Sequence, residues 1–325
     1  MSTPSRALVT GGAGFIGSHV SEAFLAAGYE VVVVDDLSTG RDENVPAAAR
    51  FEHLDIGSPE AATLVRDGRF NVICHLAAQI DVRLSVADPV ADAKRNILGT
   101  LNLLEAARHA SHRPRVVFSS TGGAVYGDFV DPPSVEDQPK DPESPYGVAK
   151  LSIEFYLGYY ARVHGLDAVV LRYSNVYGPR QNPEGEAGVV SIFCQRLMRS
   201  QPLTVFGTGE QTRDYVFVAD VAAANVLGAR ARLPAARRLD DRAFNIGTAV
   251  PTSVLQLASS LQTAAGSACP VEFAPPRAGE QQRSFVAVEK AARLLGWAPA
   301  VRLDRGLAET YQWFRQRHEG RRIAE

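Results

Sequence analysis

Near its start the chain reads Ala7-Leu-Val-Thr-Gly-Gly-Ala-Gly-Phe-Ile-Gly-Ser-His19, and few stretches restrict a fold so tightly. The apolar residues Ala7 to Val9 predict a strand, and Phe15 to Ala27 predicts a helix. Gly11, Gly12, Gly14 and Gly17 lie between and just inside them. Glycine lets a backbone turn sharply and approach a ligand closely, while a helix start offers unpaired N–H groups and a positive dipole end. That combination suits a pyrophosphate. A second strand, Glu30 to Val34, ends in Asp35, where a carboxylate would meet an adenosine ribose. The stretch therefore predicts a parallel α/β sheet that holds a dinucleotide, against the plainer alternative of an ordinary strand, turn and helix.

With 325 residues, 46% hydrophobic and 22% charged, the chain can bury a sizeable core. A formal net charge of -2 gives no reason to expect nucleic acid or an anionic membrane as partner, so an anionic ligand must be met by local Arg and Lys. Cys74, Cys194 and Cys269 are far apart and lack metal-ligand spacing, which predicts free thiols and no metal site. The first residues carry no signal-like pattern and no apolar run would span a bilayer, so a cytoplasmic protein is expected.

Along the chain, Asp35 would accept from ribose hydroxyls and repel a 2′-phosphate, which favours NAD over NADP; the nearby Arg41 argues the other way. Phe51 to Ile56 predicts a third strand with Asp55 and Ile56 at its end, placed to bracket an adenine. Asn71 to Ala78 predicts a fourth, whose Ala77 and Ala78 let backbone pass close to a cofactor. A helix is expected from Asp88 to Ala107. The fifth strand, Arg115 to Phe118, runs into Ser119-Ser-Thr121, three hydroxyls at the ligand-binding edge of an open sheet. Tyr146 and Lys150 are four apart and share one face of the next helix. After the sixth strand, Leu166 to Leu171, the rhythm changes, and separated pieces predict a smaller unit.

Together, Thr10-Gly-Gly-Ala-Gly-Phe-Ile-Gly17, Asp35, His75-Leu-Ala-Ala78, Ser119-Ser-Thr121, Tyr146-x-x-x-Lys150, Tyr173-Ser-Asn-Val-Tyr-Gly178, Arg213-Asp-Tyr215 and Pro276-Arg-Ala-Gly-Glu280 resemble the extended short-chain dehydrogenase/reductase family. The likeness runs from Leu8 to about Phe314 and is strongest to the branch of UDP-hexose 4-epimerases and their N-acetylhexosamine relatives. It implies a Rossmann-type doubly wound parallel sheet with helices on both faces, plus a smaller α/β substrate domain. The NAD domain would be residues 1–174 with returning segments at about 216–247, and the substrate domain 175–215 and about 248–325. Dehydratases of the family carry an Asp-Glu pair after the catalytic Thr. Gly122-Gly-Ala124 stands there in this chain, which argues against loss of water.

The resemblance implies Tyr146 as base, Lys150 as the cation that favours its phenolate, and Thr121 or Ser120 as the hydroxyl on the sugar's 4-oxygen. It implies NAD contacts at Gly11, Gly14, Phe15, Ile16, Gly17, Asp35, Asp36, Asp55, Ile56, Leu76, Ala77, Ala78, Gln79, Asn96, Tyr146, Lys150, Tyr173 and Val176. A UDP-sugar would touch Ser85, Thr121, Tyr146 and Asn175, with Val189, Val190, Leu203, Val205 and Phe206 near the uracil. Arg213 and Arg277 would hold the diphosphate, Glu280 the ribose, and Ser284 would border the sugar's 2-substituent. A homodimer is implied, formed by helices Asp92 to Arg108 and Ser144 to Val163 through positions such as Leu98, Leu101, Phe155 and Leu157. Competing expectations are a uronate epimerase or net reductase on the same fold, and a non-catalytic NAD-binding sensor.

Overall fold

The computed structural model describes residues 4–128, 131–184, 188–277 and 281–324, with side chains through 319. In chain order, β1 (Arg6–Thr10), α1 (Phe15–Ala26), β2 (Glu30–Asp35), β3 (Arg50–His53), α2 (Pro59–Asp67) and β4 (Val72–His75) come first. Then α3 (Val82–Ala87), α4 (Pro89–Ala93), a wide π turn (Lys94–Leu98) and α5 (Gly99–His109) lead to β5 (Arg115–Thr121), α6 (Pro145–His164) and β6 (Ala168–Tyr173). The rest is β7 (Asn175–Tyr177), α7 (Val189–Met198), β8 (Leu203–Phe206), β9 (Thr212–Phe217), α8 (Val218–Arg230), β10 (Ala243–Ile246) and β11 (Pro251–Ser253), then α9 (Val254–Ala265), β12 (Val271–Ala274), β13 (Arg283–Ser284), α10 (Glu289–Leu295) and α11 (Leu303–Ala324).

Seven strands form one parallel sheet in the order β10-β6-β5-β4-β1-β2-β3. Side chains alternate across a strand, so each apolar run feeds two cores. Ala7, Val9, Val31 and Val33 pack with Val20 and Phe24 of α1 and Val221 of α8. Leu8, Val32 and Val34 face Val65 of α2, Leu104 of α5 and Leu157 of α6. This is the doubly wound arrangement the sequence implies.

Three strand ends differ from expectation, each set together with a neighbouring strand. β3 stops at His53, paired with Asp35, the last residue of β2, so Asp55 and Ile56 lie beyond it. β4 stops at His75 opposite Thr10, leaving Leu76 to Ala78 as loop. β5 continues through Ser119 to Thr121 because β6 pairs with it as far as Tyr173. Beyond this sheet, β9 pairs with β7, β11 and β13, and β8 pairs with β12. A third core of Tyr177, Phe193, Leu197, Leu203, Val205, Leu257 and Phe314 lies among these strands and α7, α9 and α11. No helix among the described residues is long and apolar enough to cross a membrane, and those residues hold no metal-binding cluster.

Candidate active site

Parallel strands place all their carboxyl ends at one edge, where Gly11, Asp35, Leu76 to Ala78 and Thr121 end or follow β1, β2, β4 and β5. β1 turns at Gly11, whose φ of +71° only glycine adopts freely; a Cβ there would stand 2.7 Å from the Ala77 nitrogen. A Cβ on Gly17 would stand 2.0 Å from the Gly11 carbonyl oxygen. The turn therefore brings β1, α1 and the loop after β4 into backbone contact. Gly14 caps α1 with no side-chain acceptor, and its first turn carries no acidic residue. Its N–H groups and positive dipole end remain available to an anion. Asp35 is buried at the end of β2 and accepts from the Ala13 and Leu37 amides at 3.0 and 2.9 Å. Burial pushes its carboxyl above the ordinary aspartate range, while the two amides pull it back. A close-backed glycine turn, an open helix start and a carboxylate held at the next strand end fit a dinucleotide.

His75 sits behind this cradle and is structural. Thr100 Oγ1 donates to the Asn96 carbonyl at 2.6 Å, so it accepts from His75 Nε2 at 2.8 Å. His75 Nδ1 then accepts from Thr10 Oγ1 at 2.7 Å. Burial, with Lys150 nearby, pushes the imidazole down to about 3, so the ring is neutral at working pH. The π turn aims Asn96 inward, where it bonds both main-chain groups of Gln79 and the buried Asp92 carboxylate. Asn96 thus fixes the loop carrying Leu76 to Gln79.

Ser144 caps α6 by accepting from the Gly147 amide at 3.1 Å, and Pro145 occupies the first turn. The cap fixes where the helix begins, and so where Tyr146 and Lys150 face. Lys150 is buried, with Nζ 2.8 Å from the Ser119 carbonyl, 4.8 Å from the Phe118 ring centre and 5.8 Å from that of Tyr146. Burial lowers its pKa to about 8, opposed by the negative charges of Asp92 and Glu154. Ser85 Oγ accepts from the Tyr146 amide at 3.3 Å and donates to the Val82 carbonyl at 2.7 Å. Its hydroxyl is thus engaged with protein, whereas the resemblance assigns it to substrate. Thr121, half-buried, closes β5 at the same edge.

Side-chain direction separates the remaining residues. Ser120 alternates away from Thr121 and donates to Glu154 Oε1 at 2.5 Å in the interior, so it offers no hydroxyl to a sugar. The Tyr173 side chain is buried against α8, its hydroxyl accepting from Asn225 at 2.8 Å, which leaves only main chain for a cofactor. Leu203 and Val205 point into the third core, and Val190 packs there too. Thr204 and Phe206 occupy the opposite, partly open face of β8, as the alternation in Leu203 to Phe206 dictates. Asp55 is exposed and accepts from Gly57, Ile56 is buried against the α2 and α5 side of the sheet, and Asp36 is exposed.

On the substrate side, Arg213 of β9 and Ser284 of β13 are register partners. Asn175 of β7 is the exposed register partner of Tyr215 on the same β9, with Val176 next to it half-buried. The Arg277 guanidinium lies 3.9 Å from the Phe206 ring centre, a stacked cation–π contact. Val189 is half-buried at the start of α7, and Glu280 lies outside the described residues. Arg41 pairs loosely with Glu43 at 3.7 Å.

Residues 7–247 match the model of the NAD dependent epimerase/dehydratase family. The chain is 45% identical to a UDP-glucose 4-epimerase of Mycolicibacterium smegmatis over 97% of its own length and 100% of that protein's. A crystal structure of UDP-glucose 4-epimerase with UDP-glucose from Thermotoga maritima superposes with a TM-score of 0.91 at 45% identity, covering 96% of this chain and 99% of that one. A Thermus thermophilus UDP-glucose 4-epimerase in complex with NAD gives 0.87 at 42% identity, covering 95% and 99%.

Proposed function

This chain belongs to the NAD dependent epimerase/dehydratase family, and on that footing we propose that it inverts C4 of UDP-glucose and UDP-galactose. One observation carries the reading. A strand-end hydroxyl, Thr121, and a tyrosine beside a buried lysine, Tyr146 and Lys150, share the carboxyl edge of the sheet with the glycine cradle.

In this reading Gly11, Gly14, Gly17 and Asp35 would hold NAD, with Ala77 backing the turn. Bound NAD would supply reversible hydride transfer at C4 of the sugar. The residues do the rest. A phenol with an ordinary pKa near ~10 is a poor base at neutral pH, and the Lys150 ammonium favours its anion. Tyr146 then takes the 4-hydroxyl proton as the ketone forms and gives it back after the sugar has turned. Thr121 holds the 4-oxygen in line with Tyr146. Arg213 and Arg277 grip the diphosphate, so that the sugar alone is free to rotate. Gly122-Gly-Ala124 supplies no acid to expel water, which separates this site from a dehydratase.

The N-acetyl sugars are accepted as well: the serine at position 284 is far smaller than a tyrosine, and the smaller sugar loses only the contacts of the missing group. The assembly is a homodimer. Leu98, Phe155, Tyr156, Tyr159 and Val163 are exposed on the α5 and α6 side, the apolar stripe expected of paired helices. Leu157 is not part of it, since it is buried in the chain's own core, and Leu101 is half-buried there.

The test is proton NMR of UDP-glucose incubated with enzyme and NAD. UDP-galactose should appear with no net NADH, and Tyr146→Phe should cut turnover by about 100-fold or more. Net NADH accumulation, or turnover within about tenfold of wild type in that variant, refutes the assignment.

A further inference from the structure

The interior behind Thr121 holds charges that this chemistry does not use. Arg172 and Glu154 are both fully buried. Arg172 Nε lies 3.1 and 3.2 Å from the two Glu154 oxygens, and Nη2 lies 2.6 Å from Oε2. Ser120 Oγ donates to Glu154 Oε1. The other edge of the guanidinium donates to the Tyr126 hydroxyl at 3.0 Å and the Glu136 carbonyl at 2.8 Å, and Nη2 also reaches Asp240 at 2.7 Å.

Stability does not account for such a cluster. Apolar residues of similar volume usually serve a core as well as a buried ion pair or better, because two charges must be stripped of water. Its placement is more informative. Glu154 lies one helical turn beyond Lys150 and two beyond Tyr146 on α6. Ser120 immediately precedes Thr121, and Arg172 is the register partner of Ser120 on β6. One carboxylate therefore ties the helix bearing the base to the strand bearing the substrate hydroxyl. It is also one of two anions acting on Lys150. The groups facing that ammonium are Asp92 from α4, Glu154 from its own helix, neutral His75 from β4 and the ring of Tyr146.

We propose that Glu154, held by Arg172 and Ser120, is a positioning residue for the epimerisation: it sets α6 against β5 so that Tyr146 and Thr121 meet on one sugar oxygen, and it keeps Lys150 charged. This rests on the roles given to Tyr146 and Lys150 above. Turnover by wild type and by Tyr146→Phe tests those roles separately, so failure of the one is distinguishable from failure of the other.

The experiment is the pH profile of kcat for UDP-glucose with NAD-loaded wild type, Glu154→Gln, Ser120→Ala and the double variant Glu154→Leu/Arg172→Met. Glu154→Gln should lower kcat about tenfold or more with KM within about threefold. It should also move the alkaline limb to lower pH by about half a unit or more, since Lys150 loses its proton sooner. The double variant removes both buried charges together. Arg172→Met also strips Asp240, Tyr126 and the Glu136 carbonyl of a donor, so the melting temperature is read separately, and the variant should keep the low kcat and the shifted limb. Ser120→Ala should lower kcat about threefold with the limb unmoved, because the carboxylate remains. Wild-type kcat and limb in Glu154→Gln overturn the proposal. So does a double variant that recovers both melting temperature and activity. Should Glu154→Gln fail to fold, the double variant and Ser120→Ala decide by the same criteria, and unchanged kcat in either overturns it.

Discussion

Lys150→Met should make the protein inactive and, at neutral pH, more stable relative to wild type than it is at alkaline pH. Burial brings the Lys150 pKa from 10.5 to about 8 in the folded chain. At about 1.36 kcal/mol per pKa unit, the fold holds the charged lysine at a cost of about 3 kcal/mol. The sign follows from linkage. A lysine whose folded pKa is lowered destabilises the fold fully below the folded value, near pH 8, and the penalty fades as pH rises towards the unfolded value. Of the roughly 3 kcal/mol present at pH 7, about 2 has gone by pH 9.5. The hydrogen bond from Nζ to the Ser119 carbonyl is lost in the methionine variant at every pH, so it shifts the baseline and not the slope. Urea titrations of both NAD-free proteins at pH 7.0 and 9.5 read the difference. The stability of Lys150→Met relative to wild type should fall by about 2 kcal/mol between those pH values. A difference constant with pH, or one that grows in the opposite direction, would show that Lys150 is not held charged against a desolvation cost. The electrostatic account of Tyr146 activation would then fall with it.

Three further outcomes follow from the geometry. Gly17→Ala puts a Cβ 2.0 Å from the Gly11 carbonyl oxygen, so the turn must open; overpacking of this kind costs about 1–3 kcal/mol, and calorimetry should find NAD affinity down by about tenfold or more. Ser284→Tyr should suppress turnover of the N-acetyl sugars while sparing UDP-glucose, and equal loss on both would remove Ser284 from the pocket wall. Phe155→Glu places a charge in the exposed stripe on α6 and should shift light scattering from twice the chain mass to the chain mass at micromolar concentration, whereas an unchanged mass would locate the interface elsewhere.

The glycine turn, Asp35 and the Tyr146/Lys150 pair were readable because each is local: spacing within one strand–helix unit fixes their relations. Strand ends were less so. Whether β3 stops at His53 or Ile56 is decided by where β2 ends, which is information carried by a different segment. Strict alternation pairs Leu203 with Val205 and against Phe206, but which face is interior depends on α7 and α9 arriving to cover it. Glu154 reads in isolation as an ordinary solvated position on a helix. Only the packing of α6 on β5 and β6 brings it to Ser120 and Arg172, residues of two different strands.

The large sheet is not finished when its sixth strand has been made. β6, buried along all six of its residues, waits for β10, which comes only after β7, β8, β9 and α8. During synthesis the order of emergence therefore leaves an apolar, hydrogen-bond-hungry edge open while unrelated chain is being added. Exposed edges of this sort invite pairing with other chains. A released fragment ending at Tyr173 should engage holdase chaperones, and one extended through Ile246 should do so less. A codon-level pause between those two points would lengthen the vulnerable interval, so translation speed there bears on yield without altering a single contact of the finished protein.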